Sequence, residues 1–321
     1  MPLINVIASC TSRKTSPPET ACRMARIRSI KTETRLAEWV RRISKARGDS
    51  KRAIDLYCGD HWHVLRKLVE TQNTPKKFDL WVASAGWGLI NSEAEITSYG
   101  ATFSHLDPDS VIHPNILPQE SHLWWNGLTQ SRLQGRKSPS SFAALAKKTP
   151  TVPMLVALPP SYLTAVRDDL ILARSLLATP DLLVVVSAGT KRDADFSSNL
   201  VPCDSRLQTL LGGSLTSLNA RIARYILENY PPRKLLASPI IRHFEKLTSQ
   251  SQKQSPPKRA IKTDSEIADF ISKKLSCKKT KHSHSSLLRV FRDSGKACEQ
   301  SRFSRIFRSV IQSRNQNEET E

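Results

Sequence analysis

Cys10 closes an apolar run and is followed at once by two hydroxyls and two cations, in the string Ser9-Cys10-Thr11-Ser12-Arg13-Lys14. A thiol beside cations is the ordinary setting for a nucleophilic cysteine, and small hydroxyls with Lys and Arg at a strand end can hold phosphate; the same thiol also reads as a small buried hydrophobe. The spacing is not that of GxxxxGK[ST], so ATP hydrolysis is not indicated. A second string, Cys58-Gly59-Asp60-His61-Trp62-His63, offers Asp60 to cap the following helix and one histidine as a general acid or base, or a His or Trp ring for stacking on a base. His61 and His63 are two apart and point to different faces of a helix, so no metal site is expected there. A third, Ser84-Ala85-Gly86-Trp87-Gly88, lets backbone approach a ligand closely at Gly86 and Gly88, with Tyr99 and Phe103 downstream to wall a planar ring. The same glycines also suit a tight turn. A fourth, Ser187-Ala188-Gly189-Thr190-Lys191-Arg192, repeats the Ser-Ala-Gly pattern ahead of cations, and Arg206 precedes Gly212-Gly213-Ser214, a glycine loop that feeds a helix N-terminus able to bind an anion or simply to be capped. Cys10, Asp60 and His61 are thus the candidate catalytic groups. Ser9, Thr11, Arg13, Lys14, Ser84, Gly86, Gly88, Tyr99, Phe103, Ser187, Gly189, Lys191, Arg206, Gly213 and Ser214 are the candidate substrate contacts. No cofactor is expected.

These strings matter because each lies just after a run that reads as a buried strand. Residues 3–9, 53–58, 79–84, 152–158 and 181–187 are short and nearly continuous in apolar residues, and helical segments alternate with them. That pattern predicts an α/β fold with a mainly parallel sheet covered by helices on both faces. Ligands of such sheets bind at the carboxyl ends of the strands. Residues 21–46 place Met24, Ile27, Leu36, Trp39, Val40 and Ile43 at helical spacing with Arg and Lys on the other faces, as one basic amphipathic helix or a pair. Pro159-Pro160 starts a helix over 162–177, and Pro231-Pro232 stops one over 214–230.

The chain has 321 residues and a formal charge of +20. The charge is uneven: +9 over residues 1–52, zero over 53–231 and +11 over 232–321. Two basic flanks around a neutral middle attract polyanions, and nucleic acid, DNA before RNA, is the expected partner. Cys10, Cys22, Cys58, Cys203, Cys277 and Cys298 form no CxxC pair, so neither a zinc ribbon nor a disulfide framework is indicated and a cytoplasmic setting is expected. No apolar stretch approaches the ~20 residues of a bilayer span, and the first residues lack the basic and apolar regions of a secretory leader.

The expected organisation is an α/β domain over 1–247, a polar, proline-bearing linker over 248–263, a basic helical domain over 264–311 and a disordered tail over 312–321. The helical domain should hold three short helices, the first capped by Asp264, with the turn Asp293-Ser294-Gly295 before the last. Arg289, Arg292, Arg302, Arg305 and Arg308 surround its small core, a helix-turn-helix-like outline in which these arginines contact nucleic acid.

The pairing of Ser-Cys-Thr-Ser-Arg-Lys at one strand end with SAGWGLI and SYGATFS after a later strand resembles the bacterial YaaA-like proteins, over about residues 1–230. Members of that group lie in DNA-modification and phage-defence gene neighbourhoods, including those that install 7-deazaguanine bases in DNA. The resemblance implies an α/β domain that handles a base, nucleoside or nucleic acid, possible protein partners of a modification complex, and a task for Cys10: addition to a nitrile on the way to an amide, with Asp60 or His61 moving protons. The basic helices beyond residue 263 are no part of the resemblance. A non-catalytic DNA-binding or ligand-sensing protein is the alternative.

Overall fold

A computed structural model describes residues 4–71, 78–105, 107–131, 133, 135, 138–189, 196–251, 259–276 and 283–318. It divides into two compact units, Met1–Lys253 and Gln254–Glu321.

In the first unit the elements run β1 (Asn5–Ser9), α1 (Thr32–Ile43), β2 (Ser50–Arg52), α2 (Ala53–Leu56), α3 (Asp60–Glu70), β3 (Asp79–Ser84), β4 (Gly88–Asn91), β5 (Glu95–Thr97), α4 (Ser121–Ser131), α5 (Phe142–Lys148), β6 (Met154–Ala157), α6 (Pro160–Leu176), β7 (Leu183–Val186), β8 (Leu200–Val201), α7 (Gln208–Leu211), α8 (Leu218–Asn229) and α9 (Ala237–Gln250). Six strands form one sheet in the order β4-β3-β1-β6-β7-β8. Every pairing is parallel except the β3–β4 hairpin. The strands β1, β6 and β7 are buried along their whole length, as expected of a parallel sheet with both faces covered. Two sets of helices cover it: α1 packs on α4, and α4 and α5 on α6, while α3 packs on α8, with α9 against β7 and β8. This is the α/β architecture the apolar runs predict. Ser9 pairs with Ala83 and Ala8 with Ala157, so β3, β1 and β6 end at one level.

Three local expectations are corrected. Residues 53–58 are not a strand: Ala53–Leu56 is one helical turn, closed by Tyr57 N donating to Ala53 O (3.2 Å) and tied by Ala53 N to Ala94 O and Ile54 N to Ser92 O (both 2.9 Å). A short buried apolar run has no period of its own, and tertiary bonds decide its form. The helix expected from residue 21 starts only at Thr32, after two 3-10 turns at Thr20–Cys22 and Met24–Arg26. Met24 N donates to Gly100 O and Gly100 N to Cys22 O (each 2.8 Å), and these bonds to a distant loop replace helical ones. The segment expected as a linker from 248 is helical in α9 to Gln250.

The second unit contains β9 (Ala260–Ile261), α10 (Asp264–Leu275), α11 (His284–Asp293), β10 (Lys296–Ala297) and α12 (Gln300–Glu318), with β9 and β10 paired in parallel. Its core is Ile267, Ile271, Leu287, Leu288, Phe291, Phe303, Ile306 and Phe307. Thr263, rather than Asp264, caps α10, in a reciprocal pair with Glu266. Between α11 and α12 lie six residues that include Gly295 at φ +77° and β10, longer than the three or four of a helix-turn-helix. The last helix passes residue 311, where a disordered tail was expected, and reaches Glu318; no Gly or Pro lies between 300 and 318 to stop it.

Candidate functional site

The backbone of Cys10 is fixed by its N–H donating to Ala83 O (3.0 Å), directly beyond β1. Its thiol lies 3.0 Å from the hydroxyl of Tyr162. Tyr162 stands in the first turn of α6, which follows β6 and begins at Pro160, where the missing N–H costs nothing. The chain leaves β1 for β3 and β4 on one side, then returns to build β6, β7 and β8 on the other. The order therefore reverses between β1 and β6. That switch point is where ligands of open α/β sheets bind, and the contact between the buried Cys10 and Tyr162 side chains closes it.

Around this pair is a polar cluster. Tyr99 Oη is 2.6 Å from Ser84 Oγ and 2.9 Å from Tyr57 Oη. Phe103 meets the Tyr162 ring edge-on, with centroids 5.0 Å apart. Lys14 Nζ sits 4.2 Å from the Tyr99 ring centroid and donates to Thr11 O (3.0 Å). Burial lowers the Lys14 pKa, opposed by the negative charge that Cys10, Asp109 and Asp107 can present to it. The phenols of Tyr57, Tyr99 and Tyr162 are pushed well above their usual value, first by burial and then by the like charge of a Cys10 thiolate. At neutral pH the site therefore presents protonated phenols and a partly desolvated amine around one sulfur.

No protein-family model matches the chain, and neither a curated protein nor a solved structure is significantly similar to it.

Of the residues singled out from sequence, Ser9, Cys10, Lys14, Ser84, Tyr99 and Phe103 gather here, with Thr11 half-buried at the rim and Arg13 exposed. Tyr57 and Tyr162 belong to the site and were missed. Tyr162 follows Pro159-Pro160 at a strand's carboxyl end, the same signal that picked out the others. Tyr57 was read as an interior residue of a strand that does not exist.

The remaining candidates are placed elsewhere. Asp60 is turned toward α8: its carboxylate accepts from Ser217 Oγ (2.6 Å), Ser214 Oγ (3.1 Å) and Arg221 Nη2 (2.9 Å), and these donors hold its pKa at about 2. A carboxylate so engaged locks α3 to α8 and is a poor proton acceptor at neutral pH. Gly213 belongs to this corner, where a Cβ would strike the Arg221 guanidinium. Ser187 is buried at the end of β7, and Gly189 and Arg206 line a different pocket of about 290 Å³ with Cys203 and Asp204. Arg206 is held by Asp204 at 2.8 Å. Lys191 lies outside the described residues. The four Ser, Gly and cation strings therefore serve at least three places rather than one crevice, because β7 lies two strands away from β1.

The glycines of the third string have packing tasks. A Cβ on Gly86 would lie 2.5 Å from the Tyr99 ring, and Gly88 has φ +77° in the β3–β4 turn. The amides of Gly86 and Trp87 donate to Ser84 Oγ (3.2 and 3.0 Å), so they are committed inside the protein rather than offered to an anion.

His61 is buried against Trp62, and its Nε2 has no hydrogen-bond partner among the described residues. Burial brings its pKa from 6.5 down to about 4. The folded chain thus resists a proton that the unfolded chain accepts, so stability is full above pH 6.5 and falls as the pH drops from there toward 4. Between pH 7 and 4.5 this single group is expected to remove about 2–3 kcal/mol. Urea unfolding at the two pH values checks it: the loss should shrink by that amount in His61→Leu, and equal losses in both proteins reject the assignment.

In the second unit, Arg289 and Arg308 are exposed. Arg302 and Arg305 both bond Asp264 (2.7 and 3.1 Å), and Arg292 donates to Cys298 O (2.8 Å). Among the described residues no group of His, Cys, Asp and Glu is arranged to hold a metal ion, and no helix is long and apolar enough to cross a membrane.

Proposed function

We propose that the first unit is a thiol-dependent enzyme acting on a base or nucleoside, and that the basic second unit holds nucleic acid. The observation that carries this is the Cys10–Tyr162 pair, 3.0 Å apart at the point where the strand order reverses, with Lys14 beside it. A nucleophile, a protonated hydroxyl and an amine of lowered pKa are the parts that covalent addition to an electrophilic carbon requires.

With the YaaA-like resemblance, the substrate we favour is a 7-deazaguanine base bearing a nitrile. Cys10 sulfur bonds to the nitrile carbon as its S–H bond breaks, the thiol proton passing to Tyr162 or Lys14 while that group gives its own proton to the nitrile nitrogen, forming a thioimidate. Water then adds to the same carbon, the C–S bond breaks and the thiol is regenerated, so the net change is nitrile plus water to amide. Lys14 and Tyr162 take the proton-moving role that sequence reading gave to Asp60 and His61.

The test is to incubate the full chain with the nitrile base, free and in a DNA duplex, and follow the mass of the base. Gain of one water supports the reading, and an unchanged mass in both forms rejects it. Tyr162→Phe should slow the conversion about 10²-fold without loss of the fold; an unaltered rate removes Tyr162 from the mechanism.

The alternative, a non-catalytic DNA-binding or ligand-sensing protein, is favoured by the closure of the crevice, in which Cys10 is 4% exposed. A sensor would bind the base stoichiometrically and leave it intact.

A further inference from the structure

The second unit carries a notch of about 290 Å³ into which Arg259, Arg292 and Arg302 converge from three separate stretches of chain: the residue before β9, helix α11 and helix α12. Ile261, Ala297, Cys298 and Glu299 complete its wall. Backbone carbonyls aim the three guanidiniums. Arg259 Nε donates to Arg292 O (3.0 Å), Arg292 Nη2 and Nε to Cys298 O (2.8 and 3.3 Å), and Arg302 Nη2 to Lys262 O (3.0 Å).

A carbonyl orients a guanidinium without cancelling its charge. Arg302 is balanced by Asp264, and Glu299 accepts the Arg302 amide (2.9 Å), but Arg259 and Arg292 form no ion pair among the described residues. Like charges brought together and fixed in this way repel one another, and a bound anion relieves that repulsion. Each guanidinium has five N–H donors in a planar fork, of which the carbonyls use one or two, and on Arg302 the Asp264 carboxylate takes Nε as well. The remainder match the oxygens of a phosphate, the group that arginine binds best in bidentate fashion.

We infer that this notch is a subsite for one phosphate of a nucleic-acid backbone. The inference rests on the nucleic-acid reading above and adds Arg259, which that reading did not include. It also gives Arg292 and Arg302 a shared task that neither exposure nor sequence spacing indicates.

The experiment measures binding of a short DNA duplex to the full chain by fluorescence anisotropy across a salt series, with inorganic phosphate titrated separately. Each phosphate contact contributes about 0.9 to the slope of log affinity against log salt. Arg259→Gln, an exposed position whose loss leaves the core intact, is expected to lower the slope by about that amount and to weaken binding about 3- to 10-fold near 0.1 M salt. Arg292→Lys keeps the charge but loses the fork, and should also weaken binding. Lys273→Gln removes the same charge from α10 outside the notch and should change the slope by less than half as much. Equal slopes for wild type and Arg259→Gln overturn the notch while leaving nucleic-acid binding in place. Failure of the wild type to bind duplex at all overturns the nucleic-acid reading itself, and inorganic phosphate binding in that circumstance overturns the assignment to a backbone phosphate.

Discussion

Under the proposed nitrile-to-amide chemistry, replacement of Cys10 by alanine is expected to abolish turnover, with a loss on the order of 10³-fold or more, while the protein stays folded. In the proposed chemistry the sulfur forms the covalent bond, and removal of a nucleophile leaves only what binding and fixed hydrogen bonds contribute. The site should tolerate the change, since a small buried thiol is replaced by a smaller apolar group at a cost of about 1 kcal/mol. Cys10→Ser separates the roles further: it keeps a hydrogen bond to Tyr162 but supplies a hydroxyl of far weaker nucleophilicity, so binding should survive and turnover should not. The measurement is single-turnover mass analysis of the base beside a denaturation curve for each variant. Retention of more than a tenth of the wild-type rate by Cys10→Ala would show that the thiol is not the nucleophile.

The second large effect concerns a residue remote from the sulfur. Arg35 lies on α1, in the segment whose Arg and Lys the sequence places on the faces away from the apolar positions, yet it is buried and donates to four backbone carbonyls: Ile27 O (3.1 Å), Ser29 O (3.0 Å), Ser110 O (2.9 Å) and Val111 O (3.1 Å). Burial lowers its pKa, but a guanidinium remains charged and so must keep its acceptors. Arg35→Met would leave those carbonyls unpaired in the interior, at an expected cost of about 3–5 kcal/mol. That is a large part of the stability of an ordinary domain. The clamp joins α1 to the stretch that carries Tyr99 and Phe103, and Asp109 adds a second fastening by accepting from Arg23 Nη2 (2.8 Å) and Ala25 N (3.1 Å). Urea unfolding should show the loss, together with weaker ligand binding at the Cys10 site. A change below about 1 kcal/mol would mean that the loops hold without Arg35.

The legible part of this molecule is the part with a period or a punctuation mark. Continuous apolar runs such as Val6-Ile7-Ala8 and Leu183-Val184-Val185-Val186 fit a sheet buried on both faces, and Pro160 and Pro231 mark a helix start and a helix stop by removing an N–H. The rule that ligands sit beyond the carboxyl ends of strands was enough to pick out Cys10, Lys14, Ser84 and Tyr99. The same rule also picked Ser187, Gly189 and Arg206, because strand order is not written in any single strand.

Sequence alone determined the alternation of strand and helix, the basic character of both ends and the thiol at the end of β1, since each follows from composition or local pattern. The tertiary structure decided which strand ends are neighbours, that residues 53–56 coil into a turn, that Tyr57 and Tyr162 reach the sulfur's surroundings, and that Arg35 is buried. Those facts depend on contacts between residues far apart in the chain, whose free energy is set by burial and hydrogen-bond partners that no local stretch contains.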